Sequence, residues 1–252
     1  MRIAVSSSAG FGSDSLRWER NFLYIFIITS GFFIIFPQAD LAVTRCFFRS
    51  GSFFIADNPF WVGLRDMHRV GQWYLVPFLL LLVALYALWE RPLSVIAPHK
   101  VLYVILTYAL GPGVLVQSIK FIIGRARPRN LMEFGGGADF TPAWQLAAMC
   151  SKSCSFPSGE GAAAAAMLPL LILVPDRYRA LSAMMFIPVL VLLSLNRVFM
   201  GAHFLSDVVI AWTLILGLML WLWPRISRSA DAIDNWVRAK GKDILRRLKL
   251  IV

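Results

Sequence analysis

The sequence predicts an all-α polytopic membrane protein: six transmembrane helices followed by an interfacial amphipathic C-terminal helix. Three observations predict it. The 252 residues are 58% hydrophobic and only 15% charged, with a mean hydropathy of +0.67. A soluble domain of this length buries a core without needing so much apolar sequence. Second, six apolar stretches are long enough to cross ~30 Å of hydrocarbon at about 1.5 Å per residue. They lie at roughly 21–43, 73–90, 100–120, 159–175, 180–197 and 204–223. Third, with the N-terminus inside, 15 of the 25 lysines and arginines fall on the cytoplasmic side, the bias that orients helical membrane proteins.

Taken in order, residues 1–20 are rich in Ser and Gly and read as a mobile cytoplasmic tail. The first span starts near Asn21, is long and has no small-residue cleavage pattern after it, so it reads as a membrane helix and not as a signal peptide. Residues 37–72 mix Phe47, Phe48, Phe53, Phe54, Phe60 and Trp61 with scattered charges, the pattern of an amphipathic loop lying on the outer leaflet, either a portal for lipid or a packing lid. The fourth span opens with Gly161 and five alanines, which permit close helix contact. Trp18, Trp73, Trp89, Trp221 and Trp223 sit near span ends as interfacial anchors. Residues 21–225 thus form the membrane domain, and 226–252 a basic amphipathic cytoplasmic tail with a break at Gly241.

The net charge is +11. The basic residues flank apolar spans instead of forming a polar domain, which excludes a nucleic-acid partner and points to anionic phospholipid, at the C-terminal tail above all. Three cysteines are too few for a disulfide scaffold. Cys150 and Cys154 share a polar loop where a local disulfide is possible if the loop is extracytoplasmic, and Cys46 reads as an inert small hydrophobe.

Three short stretches hold nearly all the polar functionality of the apolar half: Lys120-Phe-Ile-Ile-Gly-Arg-Ala-Arg127-Pro128, Pro157-Ser158-Gly159-Glu160, and Arg197-Val-Phe-Met-Gly-Ala-His203-Phe-Leu-Ser-Asp207. Charged groups at a membrane boundary are costly unless they bind something. In the six-span topology all three fall on one face of the membrane. Lys120 and Arg127, seven apart, share one side of a helix that Pro128 ends or bends; a guanidinium fork and an ammonium point charge suit a phosphate. Arg125 and Arg129 read as snorkelling side chains. Ser158 is positioned to cap the next helix, whose free N–H groups and glycines suit an anion. His203 and Asp207, at i and i+4, read as one face of the sixth span, with the carboxylate fixing the imidazole tautomer and leaving the other nitrogen as nucleophile.

These residues in this order resemble the type 2 phosphatidic acid phosphatase family: Lys-x6-Arg-Pro, then Pro-Ser-Gly-His, then Ser-Arg-x5-His-x3-Asp. The match covers about 100–220. The resemblance implies a six-helix core, a periplasmic active site in a bacterial inner membrane, both termini cytoplasmic, and metal-independent, cofactor-free hydrolysis of a membrane lipid phosphate through a phosphohistidine. Carried over, Lys120, Arg127, Ser158, Gly159 and Arg197 bind phosphate, His203 is the nucleophile and Asp207 orients it. Asn196 replaces the usual Ser. Glu160 replaces the His that protonates the leaving oxygen, and a neutral carboxylic acid there can donate the same proton. The surroundings at 133–136 and 154–156 resemble the bacterial lipid A 4′-phosphatase-like branch. Three rival readings are a lipid phosphotransferase using the same intermediate, a non-catalytic lipid-phosphate binder or transporter, and a divalent metal shared by Glu160, Asp207 and His203.

Overall fold

The computed structural model describes residues 8–89, 93–147, 149–150 and 153–249. Residues 1–7 of the expected tail, Arg91, Lys152 and residues 250–252 lie outside that set. The chain forms nine helices among the described residues: α1 (Ser8–Ile35), α2 (Gln38–Cys46), α3 (Pro59–Leu88), α4 (Pro98–Tyr108), α5 (Val116–Ile123), α6 (Gly159–Ala165), α7 (Asp176–Phe199), α8 (Leu205–Arg228) and α9 (Ala230–Lys249). One small hairpin pairs β1 (Phe48–Arg49) with β2 (Ser52–Phe53), antiparallel. Helix α1 begins inside the stretch read as a tail.

The bundle is inverted relative to a soluble protein. Trp73, Met184 and Phe121 point outward, 82%, 75% and 89% exposed, while Arg125, Asp40 and Asp207 are fully buried. Water would not leave that partition standing; hydrocarbon outside and a paired polar interior would. Helix α8 is central, packed by α1, α4, α6 and α7.

Among the described residues, five segments are long and apolar enough to cross a membrane: 17–35, 59–88, 94–130, 176–199 and 205–228. The expected fourth span is the exception. Its α-helix stops at Ala165 and continues as a 3-10 helix over Leu168–Leu173 that contains Pro169. Proline cannot donate the next helical bond. A 3-10 turn rises about 2.0 Å per residue, so this shorter stretch reaches further than its length suggests. Ala162–Ala165 are buried against α7 and α8, as the small residues foretold.

The expected loop 37–72 is largely helical. Asn58 caps α3 by accepting the Phe60 N–H at 3.0 Å, and Pro59 fills the first turn. At 30 residues, α3 is about 45 Å long, more than the hydrocarbon needs. Its first turns carry Arg65, Asp66 and Arg69. The third span is α4, a π-helical stretch over Ala109–Leu115 containing Pro112, and α5. A Cβ on Gly111 would lie 2.4 Å from Ile215, so glycine permits the close approach of α8.

Helix α9 runs unbroken through Gly241 and docks against α3 and α4. Gly241 is a contact glycine, not a break: a Cβ there would lie 2.1 Å from the Ala87 carbonyl oxygen. His99 at the start of α4 binds Asp234 through both its backbone N–H (2.9 Å) and Nδ1 (2.8 Å), tying α9 beneath the bundle.

Candidate active site

The three motif stretches meet at one end of the bundle, around a cavity of about 430 Å³. Its wall includes Arg69, Lys120, Arg127, Gly159, Glu160 and His203. The first element is α5, which carries Lys120. Gly124, left-handed at φ 63°, ends this helix four residues before Pro128. Arg127 therefore lies on extended chain, not two helical turns from Lys120, yet both side chains reach the cavity. The loop closed by the Cys150–Cys154 disulfide, whose Cα atoms are 5.5 Å apart, aims them. Lys120 Nζ donates to the Cys154 carbonyl (3.0 Å) and Arg127 Nε to that of Ser153 (2.7 Å).

Ser158 is fully buried and its hydroxyl accepts the Gly161 N–H at 3.1 Å, so it caps α6. Its backbone N–H donates to the Asp207 carbonyl at 2.9 Å, fastening α6 to α8. Gly159 faces the cavity: a Cβ there would stand 3.8 Å from Lys120 Nζ, in space that an anion needs. Glu160 follows, and its carboxylate ion-pairs with Arg197 on one oxygen and with Arg69 Nε (2.6 Å) on the other.

The six-residue step from Arg197 to His203 has a local cause. Helix α7 ends at Phe199, Gly201 turns left-handed at φ 60°, and the N–H groups of Ala202 and His203 both return to the Arg197 carbonyl, at 3.0 and 3.1 Å. A side chain on Gly201 would strike the Phe53 ring at 2.5 Å, so the hairpin clamps this turn. His203 consequently precedes α8 instead of sharing a helix face with Asp207. Asp207 lies in the first turn of α8, accepts the Phe204 N–H (2.9 Å) and brings Oδ2 to 3.4 Å from His203 Nδ1. Burial, aided by the Lys120 cation, pushes the His203 imidazole down to about 4 against the pull of Asp207. The ring is neutral at pH 7. With Nδ1 toward the carboxylate, Nε2 keeps its lone pair.

Arg125 does not snorkel. It is fully buried between two carboxylates, with Nη2 2.9 Å from Asp40 Oδ2 and Nη1 2.6 Å from Asp207 Oδ1. It also donates to the Ser206 hydroxyl (2.8 Å) and the Thr141 carbonyl (2.7 Å), and stacks over Phe204 at 4.1 Å. Ser155 completes the shell with a hydroxyl bond to Asp207 Oδ2. A cation at the edge of an apolar run is indistinguishable by spacing from a snorkelling one; its carboxylate is 85 positions away in sequence.

Asp40 and Arg69 come from the stretch expected to be a surface loop. Asp40 carried a readable signal: it is the sole acidic residue between Glu19 and Asp57 and sits directly after an apolar helix. Such a charge needs a partner. The shared-metal reading would have to draw on donors that are already paired. Glu160 and Asp207 both carry guanidinium partners, and no cluster of three metal-binding side chains occurs among the described residues.

A sequence profile of the PAP2 superfamily matches residues 100–230. A lipid A 4′-phosphatase from Rhizobium leguminosarum is 40% identical over 107 residues, 42% of this chain and 46% of that protein. The chain thus covers under half the length of this relative. A second lipid A 4′-phosphatase, from Francisella tularensis subsp. novicida, is 28% identical over 71% of this chain and 82% of its own. Among solved structures, the transmembrane PAP2 type phosphatidylglycerolphosphate phosphatase from Bacillus subtilis superposes with a TM-score of 0.54 at 18% identity, covering 85% of this chain and 96% of that one. That likeness is one of fold.

Proposed function

This chain belongs to the PAP2 superfamily, and on that premise we propose that it is an integral-membrane lipid phosphatase. Its reaction is hydrolysis of a phosphomonoester or pyrophosphate of a membrane lipid, with lipid A 4′-phosphate favoured by the two relatives described above. The observation that carries the reading is the His203 imidazole, backed by Asp207 at 3.4 Å and lining the same cavity as Lys120 and Arg127. A nucleophile with a free lone pair and cations for the developing charge are the two parts that phosphoryl transfer requires.

In the proposed sequence, Lys120, Arg127 and Arg197 hold the phosphoryl oxygens, with room provided by Gly159 and the α6 terminus fixed by Ser158. His203 Nε2 attacks phosphorus as the bond to the lipid alcohol breaks, and water then cleaves the phosphohistidine. We place the site on the periplasmic face of a bacterial inner membrane, with both termini cytoplasmic. The exposed Lys240, Lys242, Arg246 and Arg247 of α9 then face anionic phospholipid. The direct test is phosphate release by purified protein across lipid A, phosphatidic acid, phosphatidylglycerol phosphate and an isoprenyl pyrophosphate, with and without EDTA. Release that persists in EDTA is expected. Stoichiometric binding without release would mark a binder or transporter, and transfer to a second lipid a phosphotransferase.

Glu160 is the proposed proton donor. Two guanidinium groups hold its carboxylate in the ionised form. An incoming phosphate takes Arg197 for itself and sets a dianion beside Glu160, and both changes favour the protonated acid. General acids contribute about 10²–10⁴-fold. Glu160→Gln should therefore slow an alkyl phosphate at least ~100-fold, whereas a nitrophenyl phosphate, whose leaving group needs no proton, should be slowed far less. Equal losses on both esters would reduce Glu160 to a holder of Arg69 and Arg197.

A further inference from the structure

We propose that Asp40 is a positioning residue for this reaction, acting through Arg125 to leave the charge of Asp207 available to His203. The proposal rests on the phosphatase reading above and concerns a residue 60 positions upstream of the region matched by the family profile. Asp40 is fully buried, and every neighbour of its carboxylate is a donor. Ser206 supplies its N–H to Oδ1 (2.8 Å) and its hydroxyl to Oδ2 (2.5 Å), and Arg125 supplies Nη2 (2.9 Å). The far side of Arg125 donates Nη1 to Asp207 Oδ1 at 2.6 Å.

The count of charges decides the role. Asp207 with Arg125 alone would be a neutral pair, and a neutral pair gives an imidazolium little support. A second carboxylate on the same guanidinium leaves the cluster with one surplus negative charge, shut away from solvent. Its outlet is Asp207 Oδ2, 3.4 Å from His203 Nδ1. A buried unpaired charge is expensive, and pairing it recovers much of that cost. When Nε2 forms its bond to phosphorus and the ester oxygen leaves with the proton of Glu160, the ring keeps its Nδ1 hydrogen and becomes cationic. At that moment the surplus charge is neutralised. Asp40 thus supplies, from outside the motifs, the counter-charge of the intermediate, without touching substrate or ring.

The test uses the full chain in detergent with a lipid phosphate that the wild type hydrolyses. Asp40→Asn keeps the shape and removes the charge. It should lower kcat by about 10–100-fold, an effect of the size seen for partners one shell removed from a reactive centre, with KM within about threefold. Asp40→Glu should restore a large part of kcat. A protein lacking only structural support would not show a KM-sparing loss relieved by charge alone. Should Asp40→Asn fail to fold, Ser206→Ala carries the test. It removes the hydroxyl that donates to Asp40 and accepts from Arg125 but leaves their direct ion pair, so kcat should fall modestly, sparing KM. Wild-type kcat in the folded variant, or a loss confined to KM, would overturn the positioning role alone. Absence of phosphate release by the wild type on every lipid phosphate would overturn the phosphatase reading, and this inference with it.

Discussion

Replacing His203 with alanine is expected to abolish phosphate release, by about 10⁴-fold or more on the precedent of enzymes that lose their nucleophile, while the protein still inserts. The neighbours explain why nothing substitutes. Lys120 and Arg127 are committed to the Cys154 and Ser153 carbonyls and present cations, not lone pairs. Glu160 is held between Arg69 and Arg197. Asp207 is enclosed by Arg125, Ser155 and the Phe204 N–H, with no oxygen free to reach the cavity. Among the described residues of the cavity wall, His203 is the imidazole, the side chain with a ring nitrogen to offer phosphorus. The substitution removes a ring whose Nδ1 faces Asp207 Oδ2 at 3.4 Å, so the scaffold loses that long contact and packing. Turnover at the wild-type rate in a correctly inserted His203→Ala protein would eliminate the histidine as nucleophile. Labelled phosphate trapped on the wild type by acid-labile, base-stable linkage, and lost in the variant, would locate the covalent step.

Much of this site was legible because motif spacing and span parity are independent constraints that agree. Lys120, Arg127, Glu160, Arg197, His203 and Asp207 come from three stretches far apart in sequence, and the structure gathers them at one end of the bundle. The finer geometry was not legible. Gly124 ends α5 before Pro128 has any chance to, because a left-handed glycine closes a helix as decisively as a proline breaks one. Gly201 places His203 ahead of α8, a consequence of one positive φ that spacing does not encode. The charged stretch before Trp73 looked like a loop because charges interrupt its apolar residues; in the structure those turns belong to α3 and bring Arg69 to the site. Asp40 and Arg125 illustrate the deepest limit. Asp40 signals that it needs a partner, but nothing in the sequence names Arg125, 85 positions away, as that partner; the fold brings them to 2.9 Å.

Arg125→Met is expected to be the most destabilising single change in the protein, and it separates the two readings of that residue. A snorkelling arginine contributes at most about 1 kcal/mol, as exposed ion pairs do. A guanidinium with no exposed surface, shared by two carboxylates, is different. Its removal leaves Asp40 and Asp207 facing each other without a counter-ion, in a space that water does not reach. Breaking a buried pair in this way costs about 3–5 kcal/mol, which in a chain of this size lowers Tm by roughly 6–20 °C. Methionine keeps much of the volume and the contact with Phe204, so a cavity does not account for the loss. The double variant Arg125→Met with Asp40→Asn removes one of the two stranded charges and should recover part of the stability. Thermal unfolding in detergent with intrinsic fluorescence reads both. A shift of under about 2 °C in the single variant would mean the cluster carries no more weight than a surface pair. Non-additivity between the two positions would instead report their coupling directly.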